Sequence, residues 1–125
     1  MSVPRQRPTL SMPSKTADGA LRDILHHIDL AMQFVEGFGD GTFKDDVRTV
    51  YAVTRCLEII SEASRRLPEE LKMRHPAIAW KQMAGAGNVY RHDYEDVAAQ
   101  FVWDTVQRAL PPLRVVVEQE IVRQT

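Results

Sequence analysis

The sequence predicts an all-α fold, and two observations support that prediction. Apolar residues recur at three- and four-residue steps along most of the chain, whereas no segment alternates apolar and polar residues for long enough to form a half-buried strand. Proline and glycine residues separate these segments at intervals typical of an up-down bundle of four to five helices with short connections. The 125 residues suffice for one core, so we expect a single helical domain over residues 16–125.

The first predicted helix runs from about residue 18 to residue 37. Thr16 or Asp18 can cap its start, because a side-chain oxygen can accept a hydrogen bond from a free backbone N–H there. Glycines at positions 37, 39 and 41 then predict a break and a loop. The apolar stripe of this helix comprises Leu21, Ile24, Leu25, Ile28, Ala31, Met32, Val35 and Phe38.

A second helix is predicted directly after this loop and ends at Pro68, which cannot continue a helix. Proline fits the first helical turn and acidic residues suit its positive dipole, so Pro68-Glu69-Glu70 predicts a short helix that reaches Arg74. The side of the second helix that we expect to be buried comprises Val47, Val50, Thr54, Leu57, Ile60, Ser64 and Leu67.

Three further helices are predicted in the C-terminal half. One runs from Ala77 to about Tyr90 and contains a small-residue strip, Ala84 to Gly87, where another helix could approach closely. The next covers about residues 95–109. Pro111 and Pro112 then kink or restart the chain before a last helix with a polar tail.

Composition limits the classes of function. Sixteen Lys and Arg residues nearly balance seventeen Asp and Glu residues, so any contact with nucleic acid depends on a local basic patch. Cys56 is the single cysteine and no Cys/His cluster has zinc-site spacing, which favours a reducing, cytoplasmic location without a metal. Residues 1–15 contain three prolines and no continuous apolar run, so we expect a flexible N-terminal arm rather than a signal peptide or a membrane span.

Reactive side chains are concentrated in the segment Gly87-Asn88-Val89-Tyr90-Arg91-His92-Asp93-Tyr94. His92 can transfer a proton near neutral pH. Arg91 can hold a phosphoryl oxygen through its planar fork of donors. Together with the phenol of Tyr94, these groups are suited to phosphate chemistry. Local sequence alone nevertheless favours a simpler interpretation, in which His92 caps a helix end and Tyr94 packs with its hydroxyl at the surface.

Other polar groups also have two interpretations. Glu58 and Glu62 lie one turn apart, and without a histidine at metal spacing they are typical of a solvated face, on which Arg55 can pair with either. A basic cluster is either ordinary surface or part of an RNA track. Two tryptophans and a tyrosine stand on apolar helical faces and are expected to pack rather than to stack on bases. The cluster comprises Arg65, Arg66, Lys72, Arg74 and His75, and the aromatic residues are Trp80, Tyr90 and Trp103.

Several separated motifs resemble the HepT-like toxins of the HEPN superfamily of small helical ribonucleases. The motifs are Ala52-Val53-Thr54-Arg55-Cys56-Leu57-Glu58-Ile59-Ile60-Ser61-Glu62-Ala63, Leu67-Pro68-Glu69-Glu70-Leu71, Ala79-Trp80-Lys81-Gln82-Met83-Ala84-Gly85, His92-Asp93-Tyr94, Val102-Trp103 and Leu110-Pro111-Pro112-Leu113. They span roughly residues 20–115 in order. The resemblance implies a dimeric HEPN-like bundle and a metal-independent endoribonuclease without a cofactor. It also implies a MntA-type minimal nucleotidyltransferase as the antitoxin partner, which attaches adenylate to Tyr94.

The family signature is an arginine, a polar residue and, after a short interval, His-x-Tyr. Asn88, His92 and Tyr94 match it, whereas Gly87 stands at the expected arginine position. Arg91, Arg55 or Arg91 from a second protomer are the candidates to replace that arginine. The sequence therefore leaves two functions open: an active endoribonuclease toxin, and a HEPN dimer that has lost catalysis and acts as an interaction module.

Overall fold

The chain folds into α-helices joined by short turns. The computed structural model describes residues 16–92 and 95–125, with side chains described outside residues 87–97. Within these ranges the helices are α1 (Ala17–Phe34), α2 (Asp40–Phe43), α3 (Val47–Arg65), α4 (Glu69–Met73), α5 (Trp80–His92), α6 (Glu95–Asp104) and α7 (Leu110–Gln124), and there is no strand. The all-α prediction is confirmed. The predicted N-terminal arm lies outside the described residues.

Helix α1 begins where the sequence predicts. Thr16 caps it, because its hydroxyl oxygen accepts a hydrogen bond from the Gly19 N–H at 3.0 Å. The helix ends at Phe34, three residues earlier than expected, and Gly37 then adopts a φ of +84°, which glycine accommodates without strain.

A short helix, α2, replaces part of the predicted glycine-rich loop. The side chain of Phe43, the last residue of α2, is fully buried and packs against Trp103 of α6, with ring centroids 5.3 Å apart. The Gly39 N–H also donates to the Thr42 hydroxyl at 2.8 Å, which holds the start of the turn. The loop prediction is wrong here because burial of Phe43 outweighs the low helix propensity of the flanking glycines.

Helix α3 is the central helix of the fold. Asp46 caps its N-terminus by accepting from the Thr49 N–H at 3.2 Å, and Val53, Leu57 and Ile60 are buried. Val47 was expected on the same buried side but is 51% exposed. The expectation was wrong because Val47 is rotated by about 120° from Val53 around the helix axis.

Helix α5 begins at Trp80 rather than at the predicted Ala77. Residues 76–78 form a turn. The Trp80 indole N–H donates to the backbone oxygens of Lys72 at 3.1 Å and His75 at 3.0 Å. This link to the turn after α4 fixes the first residue of α5, which helical periodicity cannot reveal.

The two adjacent prolines restart the C-terminal helix as predicted. A π-helical turn, Thr105–Ala109, connects α6 to α7, and the Leu110 N–H donates to the Thr105 oxygen across it. Pro111 and Pro112 then occupy the first turn of α7, where missing N–H groups cost little.

One hydrophobic core holds the helices together. Helix α1 packs mainly on α3 and α7, and α5 packs on α3. Among the described residues, none of the helices combines the length and the apolar character needed to cross a membrane. The largest fully buried apolar side chains are Phe43, Leu21, Ile24, Ile28, Ile60, Leu71, Leu110, Leu113, Val53, Val102 and Val117.

Candidate functional site

The predicted catalytic residues lie around the C-terminal end of α5. His92 is the last residue of this helix, and α6 begins at Glu95. The side chains of Asn88, Arg91 and His92, and all of Tyr94, lie outside the described residues. Their roles therefore stay predictions, and the position of the site follows from the backbone of α5 and from the helices against which it packs.

Helix α3 holds α5 through two hydrogen bonds to one carbonyl group. The Ser61 hydroxyl donates to the Ala84 oxygen at 2.9 Å, and the Arg65 guanidinium donates to the same oxygen. Ser61 is buried, so this bond satisfies a polar group that would otherwise be costly in the core.

The two helices run antiparallel. Ala84 is bonded to Ser61 and Arg65 in the last turns of α3. Trp80, one turn earlier in α5, bonds the backbone at His75, after the short α4 that follows the C-terminal end of α3. Positions later in α5 thus face positions earlier in α3. The C-terminal end of α5 therefore points toward the N-terminal half of α3.

This arrangement gives the position of Arg55 along the helix axis relative to the predicted site. With a rise of about 1.5 Å per residue, Arg55 lies about 9 Å from the level of Ser61 toward the start of α3. By the same measure, Asn88 and His92 lie about 6 and 12 Å beyond Ala84 in the same direction. Arg55 is thus level with the segment between these two positions, on a face rotated by about 120° around α3 from Ser61, which faces α5.

Register along α5 separates Arg91 from His92. The backbone is helical at both residues, and consecutive helical positions are rotated by about 100°. Asn88 and His92 are one turn apart and share a face, whereas Arg91 stands on another. This register disfavours contact of Arg91 and His92 of the same protomer with a single phosphate.

Arg55 has donors available for an anion. Its side chain is 72% exposed, and one guanidinium nitrogen lies 3.4 Å from the Glu58 carboxylate. This pair confirms the expected contact between Arg55 and Glu58. An exposed ion pair of this kind contributes little to stability, so an RNA phosphate can compete with Glu58 for the guanidinium.

Most of the predicted basic cluster is engaged in internal ion pairs. Arg66 bonds Glu62 and also Asp23 of α1, the latter at 2.9 Å. Arg74 and His75 both contact Glu120 of α7. These contacts favour a structural role for those three side chains over an RNA track.

Glu120 is the polar residue that sequence reasoning missed. It is only 1% exposed, and hydrogen bonds from Arg74, followed by those of His75, lower the pKa of its carboxyl group from 4.5 to about 2 despite burial. A glutamate beside the apolar residues Val117 and Ile121 was the available signal, because a carboxylate in such a position needs a cationic partner.

Other candidates for chemistry are explained by structure. Glu58 and Glu62 pair with arginines, and no group of three metal-ligating residues occurs in the described part of the chain. Burial raises the pKa of the Cys56 thiol to about 11, so this thiol stays protonated and is a poor nucleophile at neutral pH. Trp103 packs on Phe43 as expected for a packing residue.

An apolar groove of about 740 Å³ lies beside the N-terminal half of α5. A methyl group added at Gly85 would meet no other atom within 4 Å, so the small-residue strip is open at this position. The lining residues are Leu57, Ile60, Ala77, Ile78, Ala79, Gln82, Met83, Gly85, Ala86, Phe101, Thr105, Arg108, Ala109, Leu110 and Pro112.

Comparison with known proteins gives one consistent family. A family model described as Ribonuclease HepT-like matches residues 24–120. A protein of Thermococcus cleftensis named as a probable ribonuclease HepT is 37% identical over 94 residues, which cover 75% of this chain and 86% of that protein. A Methanocaldococcus jannaschii protein named as a candidate RNase is 31% identical over 103 residues, covering 82% of this chain and 85% of that protein. No solved structure matches the chain.

Proposed function

The chain belongs to the HepT-like ribonuclease family, and we propose that it is a metal-independent endoribonuclease. The observation that carries this proposal is the family match over residues 24–120. The predicted signature residues Asn88, His92 and Tyr94 lie within that range. We propose Arg55, which lies at the same level along the helices, as a cation for the phosphate contact.

The proposed reaction uses the substrate's own 2'-hydroxyl as the nucleophile. His92 removes or supplies the proton, since imidazole transfers protons near neutral pH and such a step contributes roughly a hundredfold to ten-thousandfold in rate. The 2'-oxygen attacks the adjacent phosphorus and the 5'-oxygen leaves with a proton. The products are a 2',3'-cyclic phosphate and a 5'-hydroxyl, with Asn88 as a further polar group beside the phosphate.

A guanidinium must stabilise the charge that develops on the phosphoryl oxygens. Gly87 cannot supply it. The separation of Arg91 and His92 around α5 favours two sources: Arg55 of the same protomer, or Arg91 of a second protomer across a dimer. The level of Arg55 between Asn88 and His92 supports the first source.

Gly87 also supports a second candidate function. A chain that has lost the family arginine can keep the bundle and its interaction surfaces without cleaving RNA. In that case the protein is a HEPN dimer that acts as an interaction or regulatory module.

One assay separates the two functions. The purified protein is incubated with total RNA in the presence of EDTA, beside a His92→Ala variant, and the new ends are analysed for cyclic phosphate. Cleavage by the wild type and not by the variant, with equal helicity by circular dichroism, supports the ribonuclease. Absence of cleavage by a folded wild-type protein supports the interaction module.

We further propose that the functional unit is a homodimer. The open apolar groove and the small-residue strip beside it support this, since contiguous exposed apolar surface marks interaction sites. Sedimentation equilibrium at micromolar concentration tests the proposal, and a monomer would contradict it.

The proposed biological setting is a cytoplasmic toxin-antitoxin pair. A MntA-type nucleotidyltransferase would act as antitoxin by attaching adenylate to Tyr94, the position two beyond His92. Each adenylate adds a phosphodiester charge and a bulky base beside the site, which repels the RNA backbone.

A further inference from the structure

The outer face of α3 carries two arginines with a tyrosine between them. Arg48, Tyr51 and Arg55 are spaced by three and four residues, so they form one line along the helix, which we call the α3 stripe. Tyr51 is 67% exposed and Arg55 is 72% exposed. Arg48 is also exposed. The core does not explain an exposed phenol between two exposed cations, of which Arg55 is also a candidate for the phosphate contact proposed above.

We propose that the α3 stripe binds single-stranded RNA, with the guanidinium groups on phosphates and the Tyr51 ring stacked on a base. Sites for single strands combine cations that follow the backbone with aromatic rings that accept any base. This inference rests on the proposed ribonuclease function and assigns the part of the protein that holds the substrate beside the cleavage centre.

The charges of the stripe are available to an anion. Among residues 16–92 and 95–125, Arg48 forms no described ion pair. Arg55 makes the single 3.4 Å contact with Glu58. By contrast, Arg65 and Arg66 at the other end of α3 are engaged by the Ala84 carbonyl and by carboxylates. The cations of α3 that are least engaged by other described groups are therefore in its N-terminal half.

The α3 stripe lies at the level of the C-terminal end of α5. Its line continues along α3 through Glu58 and Glu62 to Arg65, whose guanidinium reaches the Ala84 carbonyl of α5. Measured along the helix from Ser61, Arg55 and Tyr51 lie at about 9 and 15 Å, on either side of the level of His92. An RNA strand on the stripe is consequently level with the end of α5 that carries the predicted catalytic residues, on a face rotated by about 80–140° around α3 from Ser61.

Acidic residues limit how far the RNA can extend. Beyond Arg55 the same line carries Glu58 and Glu62, which repel phosphates. The strand is therefore confined to the N-terminal half of α3. Asp45 and Asp46 directly precede α3, so acidic residues bound the stripe at both ends. Between them, the exposed ring with an arginine on each side favours a short single strand of RNA over a second copy of the chain as the occupant.

The test measures binding separately from cleavage. The probe is a fluorescein-labelled 2'-O-methyl oligouridylate, which has no free 2'-hydroxyl and cannot be cleaved by the proposed reaction. Fluorescence anisotropy of the full chain at several salt concentrations gives the Kd. Tyr51→Ala should weaken binding by about tenfold, while Tyr51→Phe, which keeps the ring, should bind like the wild type. Arg48→Ala should weaken binding. It should also lower the slope of log Kd against log salt concentration by about the amount expected for the loss of one phosphate contact.

Arg22→Ala is the matched control. Arg22 is an exposed arginine on helix α1. The adjacent residue Asp23 contacts Arg66, which follows the C-terminal end of α3, so Arg22 lies far from the stripe at the N-terminal half of α3. Its removal changes net charge by the same amount as Arg48→Ala but should leave the Kd close to that of the wild type.

Three outcomes would overturn the proposal: wild-type binding by a Tyr51→Ala/Arg48→Ala double variant, an equal loss of affinity in Arg22→Ala, or conversion of a dimer to a monomer in Tyr51→Ala. The last outcome would assign the stripe to contact between copies. Cleavage of natural RNA is assayed in parallel. If the protein cleaves RNA but the stripe variants bind the probe like the wild type, only the stripe proposal is contradicted. If the stripe variants weaken binding but the wild type does not cleave RNA, only the ribonuclease function is contradicted.

Discussion

Glu120 on α7 is bonded to Arg74 in the turn that follows α4. The guanidinium donates to Oε1 at 2.7 Å, and the other carboxylate oxygen lies 2.6 Å from His75 Nε2. The Trp80 indole donates to the His75 backbone in the same turn. Glu120 thereby connects the C-terminal helix to the turn that determines where α5 begins.

Replacement of Glu120 should destabilise the fold. Glu120→Gln leaves a buried site without its charge and leaves Arg74 and His75 without their carboxylate, so the free energy of unfolding should fall by about 3 kcal/mol at neutral pH. Urea denaturation gives this value. Glu118→Gln on the same helix is the control, since its carboxylate is half exposed and its loss should cost less than about 1 kcal/mol. Equal effects of the two variants would contradict a structural role for Glu120.

Acid should remove the contribution of Glu120. The fold lowers the pKa of this carboxyl group from 4.5 to about 2, so the stabilisation is complete above pH 4.5 and is lost as the pH falls toward 2. The difference in unfolding free energy between the wild type and Glu120→Gln should therefore shrink across this window. A difference that stays constant from pH 5 to about pH 2 would show that the pKa of Glu120 is not lowered.

Phe43 should contribute strongly to stability although it lies in a four-residue helix. It is fully buried against Trp103, so Phe43→Ala should lower the free energy of unfolding by about 3–5 kcal/mol. Phe34→Ala is the control, because Phe34 is 39% exposed and its truncation should cost much less. Thermal denaturation of the two variants provides the comparison, and a stable Phe43→Ala protein would mean that α2 is dispensable.

Arg91 should matter for the rate of cleavage if it replaces the arginine missing at Gly87. Arg91→Ala should then lower kcat by about a hundredfold or more, since it removes a donor to the developing phosphoryl charge. Arg91→Lys should show a smaller loss because charge remains without the planar fork. Cleavage assays of both variants, with Arg22→Ala as the charge-matched control, measure the effect. Full activity in Arg91→Ala would assign the role to Arg55 or to no arginine.

Tyr94 should accept adenylate from the nucleotidyltransferase partner. Intact-mass measurement after coexpression with a MntA-type enzyme should show added adenylate units, and cleavage activity should fall as the modification rises. Tyr94→Phe should carry none, while Tyr51→Phe, which removes an exposed phenol elsewhere, should be modified as fully as the wild type. Adenylate that persists in Tyr94→Phe would exclude this tyrosine as the acceptor.

Periodicity predicted the main helices because each buries a stripe that recurs every three to four residues. Leu21, Ile24 and Ile28 of α1 are all buried as expected. The short helix around Phe43 and the start of α5 at Trp80 were missed, since neighbours distant in sequence create both. Burial of Glu120 was missed for the same reason, because its partners Arg74 and His75 lie some 45 residues away.

The sequence by itself determined the all-α class and the long helices, and it provided the predicted site residues Asn88, His92 and Tyr94, because these depend on local spacing and residue type. Tertiary structure alone decided that α3 and α5 run antiparallel, with Ser61 on the Ala84 carbonyl and Arg55 level with the signature. The physical reason is that helix propensity and periodicity act within a segment. Which helices meet, and in which direction, depends on side chains that fill a shared core and satisfy one another's buried polar groups.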